Sequence, residues 1–188
     1  MATQPKSLFT LEEYLDQERA AEYKSEFHAG AIYAMAGGTE THARLSAQIT
    51  ALLWLKLQGR CRVYGSELNV YLEKQDQCVY ADAMVVCGEP QFWGKRKDVI
   101  VNPTLVVEVL SPSTEAYDKS DKATYYRGLP SLQHCLLVAQ DKLFIEHSAR
   151  QENGSWTVSL LEDRTSVIAF SALDISIAAE EIYRSVLI

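Results

Sequence analysis

The 188-residue chain carries 47% hydrophobic and 23% charged residues, a balance that supports a sizeable folded core over residues 1–188 and excludes a disordered chain. Its apolar runs fall well short of the ~18 residues that cross a bilayer, and Met1 to Ser7 lack the apolar heart of a secretion signal, so a cytoplasmic protein is expected. A formal charge of -7 argues against coating nucleic acid by bulk electrostatics and leaves room for a local basic cleft.

Thr10-Leu-Glu-Glu13 reads as a capping box, and Leu11, Tyr14 and Leu15 follow at helical spacing, so a short amphipathic helix is predicted over 10–20. Tyr23 to Phe27 and Ala31 to Met35 flank Ala29-Gly30 as a hairpin. After Gly37-Gly38, Leu45, Ile49, Leu52 and Leu53 lie on one face of a long helix over Thr41 to Gln58, with Gly59 as its stop. Residues 61–73, 79–87 and 103–110 alternate or run apolar as strands do.

The loop from Gly88 to Asn102 holds Gly94-Lys-Arg-Lys97, a basic run that is either a solvated surface or a phosphate contact. A helix is predicted over Tyr117 to Arg127, ended by Gly128-Leu-Pro130. Short strands follow at Gln133 to Ala139, Leu143 to Ser148, Trp156 to Leu161 and Ser166 to Phe170, then a closing helix near Ile177 to Tyr183. With no linker or internal repeat, one α+β domain is the simplest account. The cysteines at 61, 78, 87 and 135 form no Cys-x-x-Cys pair, so buried free thiols are expected rather than a zinc site or disulfides.

Glu108 stands inside Thr104-Leu-Val-Val-Glu-Val-Leu110, which otherwise reads as a fully buried strand. An unpaired buried carboxylate is costly, so a cation, a hydrogen-bond network or a cleft is expected around it. Asp82 occupies a similar setting in Val79-Tyr-Ala-Asp-Ala-Met-Val-Val-Cys87. Two such acids on neighbouring strands suit one hard cation, and the helix that follows offers Lys119 and Lys122 on one face.

These residues resemble the Uma-two-type restriction endonuclease family of the PD-(D/E)XK nuclease superfamily. The resemblance rests on Phe9-Thr-Leu-Glu-Glu-Tyr14, Glu26 and Gly30, His42, Tyr80-Ala-Asp-Ala-Met-Val-Val86, the run Asn102 to Lys122, Tyr126-Arg127 and Pro130-Ser131. It implies a restriction endonuclease-like core: a central mixed β-sheet flanked by helices, with an added N-terminal helix and hairpin and C-terminal strands. It also implies Mg2+ or Mn2+ held by Asp82 and Glu108, with a lysine assisting the attacking water.

Ala81 replaces the superfamily's proline, and Leu110 stands where its lysine would follow the acid. Lys122 becomes the catalytic candidate, with Lys119 as the fallback. Glu26 reads as a third acid or a hairpin surface charge, and His42 as a helix cap or an active-site group. His28, His134 and His147 read as surface or packing positions, and the aromatic residues as core and surface filler.

No Walker loop, Gly-x-Ser-x-Gly elbow or dinucleotide fingerprint occurs. The expected activity is metal-dependent hydrolysis of nucleic acid, DNA first, by a homodimer. The alternative is a nuclease-fold binding or interaction module with little catalysis.

Overall fold

The computed structural model describes residues 8–111 and 121–186. The first helix, α1 (Leu11–Ala20), carries the expected capping box, with Thr10 accepting from the Glu13 N–H and Glu13 accepting from the Thr10 N–H. Its stripe of Leu11, Tyr14 and Leu15 packs on Phe27, Cys78 and Val99. Strands β1 (Ser25–His28) and β2 (Ala31–Ala34) are joined by Ala29 and Gly30, whose φ of 47° and 91° are what a tight two-residue hairpin turn requires.

The long helix α2 (Glu40–Leu57) is capped by the Thr39 hydroxyl, which accepts from the His42 N–H, and closes through left-handed Gln58 and Gly59. Leu45, Ile49, Leu52, Leu53 and Leu57 form its buried face. The following elements are β3 (Cys61–Gly65), β4 (Asn69–Leu72), β5 (Gln77–Tyr80), β6 (Ala83–Cys87), β7 (Val99–Ile100), β8 (Leu105–Leu110) and α3 (Ala123–Arg127). The C-terminal part comprises β9 (His134–Ala139), β10 (Ile145–Arg150), β11 (Trp156–Leu161), β12 (Val167–Phe170), β13 (Ile175–Ala178) and α4 (Ala179–Ile182).

These strands build a mixed six-stranded sheet, β11-β10-β9-β8-β6-β3, and a five-stranded sheet, β2-β1-β5-β4-β7, with β12 and β13 paired separately. The parallel β8 and β9 are connected through α3, since parallel neighbours need a crossover. One face of the six-stranded sheet places Val85, Val107, Val109 and Val138 against α2. The opposite face places Met84, Val106, Leu110 and Leu137 against Ala123 and Tyr126 of α3.

The fold is α+β with a helix-flanked mixed sheet, as the sequence implies, but several local expectations change. The run 61–73 divides into β3 and β4, and the run 79–87 divides into β5 and β6, each pair split between the two sheets. The N-terminal hairpin is therefore no appendage; it joins the second sheet through β1 and β5. The predicted closing helix begins as β13 before turning into α4.

Cys61 and Cys87, expected as thiols, face each other across β3 and β6 and are joined by a disulfide, while Cys78 and Cys135 are free and buried. Of the predicted helix over Tyr117 to Arg127, residues 117–120, with Lys119, lie outside the described residues, and the described part opens with a wide turn at Asp121 and Lys122 before α3. Among the described residues, no helix is long and apolar enough to cross a membrane.

Candidate functional site

Alternation along β8 decides where Glu108 points. Val107 and Val109 face α2, so Glu108 shares the other face with Val106 and Leu110, under α3, and only 5% of it is exposed. Two groups from the chain after β8 meet it there. The Tyr126 hydroxyl donates to Glu108 Oε1 at 2.7 Å, and Lys122 Nζ lies 3.1 Å from the same oxygen. Burial, followed by the Glu108 charge, pushes the Tyr126 phenol well above its ordinary range, so it remains a donor.

Lys122 is itself 5% exposed, and its ammonium is directed at Glu26 Oε1 at 3.1 Å and the Tyr80 carbonyl at 2.9 Å as well as at Glu108. Burying that charge costs several kcal/mol, which two carboxylates and a carbonyl offset. Glu26 reaches the site because β1 pairs with β5, and its Oε1 also accepts from the Tyr80 N–H at 3.1 Å. Burial pushes the Glu26 carboxyl up. The Lys122 charge and hydrogen bonds from His28, Lys122 and the Tyr80 N–H outweigh it and hold the group below its ordinary value. His28 Nε2 lies 3.2 Å from Glu26 Oε2.

Asp82 sits at the crossing from β5 to β6, where the chain leaves one sheet for the other, rather than inside a continuous strand. Its N–H donates to the Val107 carbonyl, and its Oδ2 accepts from the Val109 N–H at 2.7 Å. Asp82 is thereby fastened to both residues that flank Glu108. His42, in the first turn of α2, places Nε2 3.3 Å from Asp82 Oδ2, and Ser46 Oγ donates to the Asp82 carbonyl. A Cβ on Gly38 would lie 3.0 Å from His42 Nδ1, so a bare backbone at residue 38 gives the imidazole room.

The predicted Asp82, Glu108, Lys122, Glu26 and His42 thus belong to one connected network. Glu26 enters it through Lys122, as a buried group rather than a hairpin surface charge. Sequence reasoning missed His28 and Tyr126. The pattern Tyr126-Arg127 marked the family without assigning Tyr126 a role, and only the β1–β5 pairing brings His28 in. His134 and His147 lie elsewhere, stacked on each other beside Phe170 with His134 Nδ1 3.0 Å from His147 Nε2.

In the basic run, Arg96 is consumed structurally: it binds Asp98, Asp16 and the Leu15 carbonyl and fastens α1 to the loop before β7. Among the described residues, no group of three or more His, Cys, Asp or Glu side chains could hold a metal ion. A Mg2+ site does not require one, since one or two carboxylates with waters and phosphate oxygens suffice. Asp82, bonded to the N–H of the residue that follows Glu108, and Glu108 itself are hard oxygen donors of the kind that mode uses.

The chain is similar to known proteins along most of its length. The uncharacterized protein sll1609 of Synechocystis sp. is 33% identical over 169 residues, covering 89% of this chain and 96% of that protein. The uncharacterized protein slr1290 of the same organism is 34% identical over 174 residues, covering 92% and 90%. The crystal structure of a putative nuclease belonging to DUF820 from Anabaena variabilis superposes with a TM-score of 0.74 at 14% identity, over 94% of this chain and 98% of that one, which shows a shared fold. Residues 11–180 match the family described as Uma2, putative restriction endonuclease, and the chain belongs to that family.

Proposed function

We propose that the protein is a Mg2+- or Mn2+-dependent endonuclease that hydrolyses phosphodiester bonds of nucleic acid, DNA in the first instance, as one domain that pairs into a homodimer. The observation that carries this reading is the meeting of Lys122 with Glu108 at 3.1 Å beside an Asp82 anchored by the Val109 N–H. The family and the shared nuclease fold support the reaction class.

Asp82 and Glu108 would hold the cation, which when bound supplies charge neutralisation at the scissile phosphate and acidifies a water. The protein's own groups do the positioning. Tyr126 fixes the Glu108 carboxylate, the Val109 N–H and His42 fix Asp82, and Glu26 with the Tyr80 carbonyl holds Lys122 at the cluster. Lys122 then orients the attacking water and steadies negative charge on the phosphate.

A plasmid-nicking assay with Mg2+ tests this: wild type cuts, and a folded Glu108→Gln variant loses at least about a hundredfold, the scale of a lost charge-stabilising group. Unchanged nicking by that variant refutes the assignment. The engagement of Lys122 by three acceptors favours a second reading, a nuclease-fold binding module whose lysine closes an ion pair. Nucleic-acid binding with no metal-dependent cleavage is the result that selects it.

A further inference from the structure

A concavity lies beside α3, lined by none of the residues of the acidic cluster. It encloses about 400 Å3 between the turn after β4, the loop before β7 and the end of α3, a volume within the range of small-ligand sites. Four aromatic side chains, Tyr71, Phe92, Trp93 and Tyr125, line it. Tyr71 and Trp93 meet edge to face with centroids 6.1 Å apart, and Tyr71 is fixed by donating from its hydroxyl to Asp76 Oδ1 at 3.0 Å. Phe92 and Tyr125 rest on the core between the sheet and α3. The rings are therefore held in place while remaining partly open to solvent.

Cations border these rings. Lys74 lines the cavity, and Lys97 Nζ sits 4.8 Å from the centre of the Phe92 ring. Glu73 lines it too, so the site is no plain anion trap. Clamped aromatic faces bordered by lysines, with an acceptor beside them, match an unpaired nucleotide: the base stacks, the phosphate meets ammonium, and Glu73 accepts from an exocyclic amine. One helix links this cavity to the candidate site, since α3 and the turn before it bring Lys122 and Tyr126 to Glu108 while presenting Tyr125 to the cavity.

We propose that this aromatic cavity binds an unpaired nucleotide of a single-stranded segment of the substrate, an inference that rests on the nucleic-acid reading above. Fluorescence anisotropy of a labelled single-stranded DNA 10-mer without metal tests it, with circular dichroism as the folding control. Tyr125→Ala and Trp93→Ala are each expected to weaken binding about tenfold, whereas Tyr125→Phe, which keeps the ring, binds as wild type. Lys74→Ala is expected to weaken binding and flatten its salt dependence.

Plasmid nicking by the same variants separates the two claims. Wild-type nicking with 10-mer binding indifferent to Tyr125→Ala and Trp93→Ala overturns the cavity assignment and leaves the nuclease reading standing. Neither binding nor nicking by wild type overturns both. An equal loss in Tyr125→Phe and Tyr125→Ala also overturns it, because stacking is then not what the ring supplies.

Discussion

Lys122→Met keeps most of the side chain's length, removes its charge, and leaves Glu26 and Glu108 buried without the ammonium they share. At 3.1 Å and an effective dielectric of about 20, each of these contacts is worth about 5 kcal/mol before desolvation is subtracted. Breaking one side of a buried ion pair typically costs about 3–5 kcal/mol, and that loss is expected in urea denaturation at pH 7. Glu26→Gln retains an acceptor for Lys122 and the Tyr80 N–H and loses the charge and the oxygen that faces His28, so it is expected to cost about 1–3 kcal/mol.

Combining the two removes both charges of one ion pair, and the double variant is expected to recover at least about 2 kcal/mol relative to the sum of the singles. Additivity within about 0.5 kcal/mol would refute the argument that Glu26 belongs to this site through Lys122.

Tyr126→Phe removes the hydroxyl that donates to Glu108 and is expected to cost about 1.5–3 kcal/mol in urea denaturation; a change under about 0.5 kcal/mol counts against that bond. Burial, and for His134 the neighbouring His147, lowers both imidazoles to about 4, so their contribution is complete above about pH 6.5 and lost as pH falls toward 4. The loss is on the order of 3 kcal/mol for each imidazole that must charge, and a His147→Leu variant with the wild-type slope over that window would exclude the pair as its source. Reducing the Cys61–Cys87 bond, which closes a separation of 26 residues, is expected to cost about 3 kcal/mol of stability, and thiol titration of the unreduced, denatured protein showing four reactive groups would contradict the bond.

Local signals carried far in this chain because they report local physics. The Thr10 capping box, the i, i+4 spacing of Leu45 and Ile49, and the Ala29-Gly30 turn each act within a few residues, and each element formed where expected. The passage of the chain between sheets at Ala81-Asp82 had no such marker, since the apolar run 79–87 continues through it. Everything that depends on strand pairing was hidden with it. Cys61 meets Cys87 only through the β3–β6 register, His134 meets His147 as diagonal neighbours across β9 and β10, and His28 joins Glu26 near Lys122 only because β1 pairs with β5.

The acids were legible for a different reason. A carboxylate in a strand as apolar as 104–110 conflicts with its surroundings, and such conflicts gather at functional sites. Nothing comparable marks Tyr126, whose aromatic ring suits a core and whose hydroxyl becomes meaningful only beside Glu108.

The central claim is that Asp82 and Glu108 form a cation site, and calorimetric titration of Mn2+ into wild type and a folded Asp82→Ala/Glu108→Ala variant tests it most directly. Saturable binding by wild type that disappears in the variant is the predicted result. Equal binding by both proteins, or none by wild type, would contradict it.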